Sequence, residues 1–379
     1  MSAKTVEVHG FVAPGYEGVR EAFAKNLEAG LEVGATFAVY RDGEPLVDLW
    51  GGHADAAGTT PVDDKTLFTV WSTTKGVVAA CVALLVDRGE LDYEAPVARY
   101  WPEFGVAGKD RITVGQMLSH QAGLVGAREP VTLEDFYEHD RLVGLLAAQE
   151  PFFAPGKWGY HTLTYGSLTD ELIRRVDGRR IGKFFAEEFA EKLDFDIYLG
   201  LPESKEHQQS EMVVPADIAA CAFDAPNQAT LEAALLNPML EWAWPNRRDW
   251  RAAGLAGAGG SANGRSLARL YDFFANEGTA AGIPLISPET VRAASVERVA
   301  GVDQSSGMYG RYGAGFRINT GTMGSNPEAF GHAGLGGSVG FADPSRNIGV
   351  GYAMNKLLNT DWGMFDPRLL NLLAAFYSV

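Results

Sequence analysis

Cysteine is nearly absent: the 379 residues contain two, Cys81 and Cys221. Both sit among apolar neighbours, so they are expected to be reduced core residues rather than a disulfide. Positive charge is short as well, with 32 Lys and Arg against 48 Asp and Glu and a net charge of -16. Such a chain repels phosphate backbones and anionic headgroups, and no run of Lys and Arg compensates. Nucleic acid and membrane surfaces are therefore not expected partners. No stretch approaches the roughly 18 apolar residues that span a bilayer. Met1 to Arg20 mixes Lys4, Glu7, His9, Pro14 and Glu17 with apolar residues and lacks the unbroken apolar core of a secretory signal, so a cytoplasmic location is expected. His, Cys and carboxylates show no metal-ligand spacing, and neither a metal nor a cofactor is expected.

What is present is an ordinary globular composition, 46% hydrophobic and 21% charged, enough for one large or two moderate domains. Val19, Phe23 and Leu27 at four-residue spacing predict an amphipathic helix within Gly15 to Ala29. Residues 35–40 and 45–50 are strand-like runs joined by Arg41-Asp42-Gly43-Glu44, whose Asp-Gly pair suits a tight hairpin turn. From Gly76 to about Gly200 helical periodicity takes over, at 77–86, 114–118, 133–146, 166–176 and 181–193. Beyond Gly254 the chain is Gly-rich, passes a helix at 266–275, and ends in strand-like runs at 312–318, 337–341 and 348–354 before a closing helix at 367–377. Strands at both ends imply one antiparallel sheet built from the two termini, flanked by helices, with a helical region inserted. The expected class is α+β. Residues 1–85 and 245–379 would form the sheet domain and 86–244 the helical domain, with the active site in the cleft between them.

The sharpest local signal is Trp71-Ser72-Thr73-Thr74-Lys75-Gly76, where the strand-like run 67–70 gives way to an apolar helix. With Ser72 in the first turn, Lys75 at i+3 shares its face and the ammonium can reach the hydroxyl. Of all the serines, only Ser72 has Lys at plus three. The bland alternative makes Ser72 a helix N-cap and Lys75 a surface residue. Against it, residues 77–85 are apolar on nearly every side of the helix, hence buried, and a Lys one turn into a buried helix is costly without a partner. Gly336-Gly337-Ser338-Val339-Gly340 fits the G-x-S-x-G nucleophile elbow, but that fold places its acid and then its His after the serine. The last histidine here, His332, precedes Ser338, and a turn rather than a helix follows.

Four ordered stretches carry a resemblance. They are Ser72-Thr73-Thr74-Lys75, Met117 to Leu124 (MLSHQAGL), Pro155 to Thr162 (PGKWGYHT), and Gly331-His332-Ala333-Gly334. In these the chain resembles the penicillin-recognising serine enzymes, and within them the esterases similar to class C β-lactamases, often called family VIII carboxylesterases. The resemblance covers most of the chain, and it implies a β-lactamase/transpeptidase-like fold. It further implies that a nucleophilic Ser72 is acylated and later freed by water. Lys75 and Tyr160 would share the proton, with the Lys75 ammonium lowering the phenol pKa. Which of the two takes the serine proton stays open. The backbone N–H groups of Ser72 and Leu335 would form the oxyanion hole. In the strand motif His332 replaces Lys, and Tyr160-His161-Thr162 replaces Tyr-x-Asn, so recognition of a lactam should be weak.

His332 and Gly334 are then candidate substrate contacts, though His332 also suits a strand histidine packed near Tyr160. Trp158 and Trp242, of the cluster Trp71, Trp158, Trp242, Trp244 and Trp250, are candidates for an acyl pocket, with core packing as the alternative. His120 is expected to be structural. The expected activity is hydrolysis of small carboxylic esters, short acyl chains being favoured by analogy alone. Acyl transfer to an alcohol and slow β-lactam or peptide hydrolysis use the same residues. A binding protein that kept the fold and lost turnover is the alternative outside enzymes, opposed by the intact Ser72, Lys75 and Tyr160.

Overall fold

Asp42 and Gly43 adopt φ of 54° and 82°, the left-handed pair that a tight hairpin turn requires, so Gly34–Arg41 folds back on Glu44–Gly52. The computed structural model in which this is seen describes residues 7–154, 156–216, 218, 224–280, 282–358 and 366–379. Cys221 and Pro155 lie outside the described residues; Cys81 is a buried free thiol. Among the described residues the hairpin belongs to a nine-stranded antiparallel sheet. Its spatial order is Val8–Val12, Glu44–Gly52, Gly34–Arg41, Ile348–Met354, Val339–Asp343, Phe330–Ala333, Arg317–Ile318, Tyr309–Tyr312 and Val299–Val302. Strands from early and late in the chain thus meet inside the sheet, at its third and fourth positions, where Val350 faces Val39. The fold is α+β with the β-lactamase/transpeptidase-like arrangement of an antiparallel sheet flanked by helices.

Alternation along the central strands decides what covers each face. Phe37, Val39, Leu49, Phe341, Val350 and Tyr352 point to one side, where helices Glu17–Glu28 and Pro367–Tyr377 bring Val19, Phe23, Leu372 and Phe376. Each such side chain contributes about 1.5–3 kcal/mol on full burial. On the opposite face Gly349 and Gly351 alternate with these residues. A Cβ at Gly349 would lie 2.1 Å from the Ala268 carbonyl oxygen, and one at Gly351 2.1 Å from that of Gly264. The two glycines let helix Gly264–Ala275 sit directly on the sheet, and Leu267, Leu270 and Phe273 of that helix join the larger core around helix Thr74–Asp87.

Several expected elements are interrupted. The helix read over 133–146 is two, Leu133–Glu138 and Asp140–Ala148, because His139 takes φ 66° between them. The strand read over 312–318 breaks into Tyr309–Tyr312 and Arg317–Ile318 around Gly315 at φ 92°, packed on Ala79 and Tyr165. The middle is not wholly helical either: Ile197–Leu199 pairs with Gly260–Ala262, which in turn pairs with Phe68–Thr69. That small sheet holds the chain just before Ser72 against the Gly-rich passage. No helix among the described residues is long and apolar enough to cross a membrane.

Candidate active site

The small sheet delivers the chain to Ser72. Val70 N–H donates to the Gly260 carbonyl at 2.9 Å, and Trp71 then turns through φ 45°, a strained value for a bulky residue. Its indole is fixed against Trp250 at 5.9 Å between ring centroids. The helix begins at Thr74 with Thr73 at its N-cap, so Ser72 stands just ahead of the helix and not inside its first turn. Lys75 N–H still donates to the Ser72 carbonyl at 2.9 Å, and this tight turn keeps both side chains on one face. Thr74 Oγ1 explains the early kink: it donates to the Trp71 carbonyl and accepts the Gly260 N–H at 2.9 Å.

Lys75 is fully buried, and its Nζ reaches three acceptors: Ser72 Oγ at 3.1 Å, the Thr162 carbonyl at 2.8 Å and the Gly257 carbonyl at 2.6 Å. Burial alone, with no carboxylate opposing it, pulls this ammonium well below the usual lysine pKa. The two carbonyls can only accept, so they take two N–H groups of Lys75, and the remaining position of Nζ meets Ser72 Oγ: an N–H in the ammonium, a lone pair in the amine. The Tyr160 ring lies 4.7 Å from Nζ. Its phenol is pushed well above 10, first by burial and then by neighbouring Tyr312, and the hydrogen bond to Ser72 does not cancel this. Burial thus works against the charged form of both groups, the opposite direction to a phenol lowered by a Lys75 cation.

Across the cleft, strand Phe330–Ala333 ends in a turn closed by Gly334 N–H to the Ser338 carbonyl at 2.7 Å and Gly337 N–H to the Gly334 carbonyl at 3.1 Å. Among the described residues the N–H groups of Ser72 and Leu335 have no acceptor, as two donors kept for an oxyanion require. His332 is 2% exposed, and its Nδ1 lies 2.7 Å from the Ala333 carbonyl, so that nitrogen carries the proton. Burial and then Lys75 hold its pKa well below 6.5. A cleft of about 920 Å³, open mouth included, joins these groups. Ser72, Tyr160, Thr162, His332, Gly334 and Leu335 line it, and Trp71, Trp158, Leu163, Leu235, Leu240, Met308 and Tyr312 make it largely apolar.

The Beta-lactamase family model matches residues 19–375. The chain belongs to the beta-lactamase family. It is 36% identical to the esterase/beta-lactamase LipL of Mycobacterium tuberculosis, over 93% of this chain and 84% of that one. Among solved structures it is similar to a family VIII carboxylesterase, 42% identical over 98% of this chain and 99% of the other, with a TM-score of 0.92. It is also similar to EstA from Arthrobacter nitroguajacolicus Rue61a, 35% identical over 96% and 98% of the two chains, with a TM-score of 0.85.

Within this beta-lactamase fold the structure brings Ser72, Tyr160, His332, Gly334, Leu335 and Trp158 to one cleft, with Lys75 buried directly behind Ser72. It does not bring Trp242 there. Trp242 packs half-buried against the main core, and Trp244 and Trp250 lie inside that core, 5.4 Å apart. Sequence reasoning missed the Gly257 and Thr162 carbonyls, because a backbone acceptor leaves no mark on residue type. It missed Asp303, whose Oδ1 accepts the Tyr160 N–H at 2.9 Å and the Ser305 N–H at 2.8 Å and so fixes the tyrosine backbone. His120, expected to be structural, accepts the His161 N–H at 3.2 Å and packs 4.7 Å from the Tyr160 ring and 5.0 Å from Tyr312. No cluster of His, Cys, Asp and Glu suited to a metal occurs among the described residues.

Proposed function

We propose that the protein is a serine carboxylesterase that hydrolyses small esters through an acyl-enzyme on Ser72. The observation that carries this reading is Lys75 Nζ at 3.1 Å from Ser72 Oγ, with two carbonyls fixing its remaining bonds. Ser72 Oγ attacks the ester carbonyl carbon as its proton passes to the Lys75 lone pair. The carbonyl oxygen becomes an oxyanion held by Ser72 N–H and Leu335 N–H. As the C–O bond to the alcohol breaks, the alcohol oxygen takes the proton of the Tyr160 phenol, and the adjacent Lys75 ammonium returns a proton to the phenolate. Water then attacks the acyl carbon as Lys75 takes one of its protons, and that proton passes to Ser72 Oγ as the bond from Oγ to the acyl carbon breaks and the carboxylic acid leaves. Thr162 and His332 place no amide and no ammonium where the lactam-recognising relatives carry Asn and Lys, which supports esters over lactams; Arg317 is the cation of the cleft lining. The apolar cleft walls suit the acyl group.

The test is Ser72→Ala with nitrophenyl acetate, together with mass spectrometry after a phosphonate probe. Hydrolysis should vanish, and the adduct should fall on the peptide containing Ser72. Retained activity, or an adduct elsewhere, refutes the assignment.

A further inference from the structure

Ser338 is the serine of the G-x-S-x-G match, and the chemistry above gives it no role. Its side chain is fully buried, and its hydroxyl donates to the Val70 carbonyl at 2.7 Å. A carbonyl only accepts, so the single Ser338 proton is used there. The 3.1 Å contact between Thr73 Oγ1 and Ser338 Oγ must then run with Thr73 as donor. Thr73 N–H donates to the same Val70 carbonyl at 3.0 Å, which closes a ring of three hydrogen bonds. Although Thr73 is the N-cap residue, its hydroxyl does not cap the helix. It reaches across to Ser338 instead.

The ring joins two turns that are distant in sequence. Residues 70–73 carry the Ser72 N–H, and residues 334–338 carry the Leu335 N–H. Gly334 packs against the join: a Cβ there would lie 2.2 Å from Val70 O and 2.4 Å from Ser338 Oγ. Its φ of -118° is open to any residue, so closeness of approach alone demands glycine. We propose that Ser338 is a positioning residue for ester hydrolysis: its hydroxyl, bonded to Thr73 and Val70, sets the separation of the two oxyanion N–H groups. This rests on the reading of Ser72 as nucleophile.

Donors that act on the developing oxyanion raise kcat without tightening ground-state binding, so loosening them lowers kcat and leaves KM near wild type. Loss of an oxyanion donor typically costs about 10²- to 10³-fold in kcat, so displacing both slightly should cost roughly tenfold to thirtyfold. The experiment compares Ser338→Ala, Thr73→Val, Thr73→Ser and the Ser338→Ala/Thr73→Val double variant on nitrophenyl acetate. A boronic acid that forms a tetrahedral adduct reports oxyanion binding separately. Expected are a kcat loss of that size in Ser338→Ala and Thr73→Val, an equal loss of boronic acid affinity, and an unchanged KM. Thr73→Ser should retain activity, and the double variant should be no worse than about either single one, because one ring is broken in all three. Should Ser338→Ala fold poorly, Thr73→Val breaks the same ring from the helix side. Wild-type kcat in both single variants, or lost stability with unchanged boronic acid affinity, overturns the proposal while Ser72→Ala stays inactive. Activity surviving in Ser72→Ala overturns both readings.

Discussion

Replacing Lys75 by Met keeps the unbranched side chain as far as Cε and removes its amine, and two separate quantities should respond. The first is kcat, expected to fall by about 10²- to 10⁴-fold for loss of a general base. The second is the pH dependence of stability. In the unfolded chain a lysine ionises near 10.4, whereas burial in the folded protein drives the pKa of Lys75 well below that range. Between the folded and unfolded pKa values the unfolded state binds one more proton, so wild-type stability rises with pH, by about 1.4 kcal/mol per unit. The full contribution is present above the unfolded pKa and is lost as pH falls through the window toward the folded one. From pH 7 to 9 the wild type should therefore gain up to about 2.7 kcal/mol on Lys75→Met. The variant also orphans the Thr162 and Gly257 carbonyls, at about 1–3 kcal/mol each, but that cost does not depend on pH. The slope is thus the readout and the offset is not. Urea unfolding of both proteins at pH 7, 8 and 9 measures it. Stability differences that stay flat across this range would show a lysine still charged in the folded state, and Lys75 could not then be the base.

Tyr160→Phe should cut kcat by about 10²-fold or more on alkyl esters, whose leaving group needs a proton, and much less on nitrophenyl esters, whose leaving group does not. Equal losses on both would place Tyr160 before the leaving-group step. Nitrocefin should be a poor substrate. Hydrogen bonds to charged groups are worth about 1.5–3 kcal/mol each, so kcat/KM should lie roughly 10²-fold or more below that for nitrophenyl acetate, and comparable values would refute the roles given to Thr162 and His332. Arg368 is fully buried between Asp366 at 2.6 Å and Glu32 at 3.2 Å, so Arg368→Met should destabilise by about 3–5 kcal/mol, read from the urea midpoint. A shift near zero would mean that the two carboxyls shed their charge without it.

Side-chain chemistry was legible in the sequence wherever it followed a period or a spacing. The hairpin at 34–52 was readable because alternation and an Asp-Gly turn agree, and the closing helix Pro367–Tyr377 because its apolar stripe is regular. The Ser72–Lys75 pair was readable because an unbroken apolar helix makes a buried lysine expensive, and Lys75 is indeed fully buried. What stayed hidden is carried by the backbone. His139 and Gly315 break their elements through left-handed φ values that the local periodicity does not announce, and Trp71 strains the nucleophile turn in the same way. Short strands such as Ile197–Leu199 form because Gly260–Ala262 waits beside them, a pairing set by tertiary contact and not by propensity.

The protonation states were hidden for the same reason. From sequence, Lys75 beside Tyr160 reads as a cation lowering a phenol. In the fold both are desolvated together, and two carbonyls from residues 162 and 257 take the amine's protons. Burial then penalises the ammonium and the phenolate alike. Transfer of one proton from phenol to amine would create two buried charges at once, so burial disfavours the phenolate–ammonium pair. A neutral lysine is the better acceptor for a serine proton and a neutral phenol the better donor to a departing alkoxide. The proposed division of labour between Lys75 and Tyr160 therefore leans on the carbonyls of residues 162 and 257, features that no side chain in the sequence records.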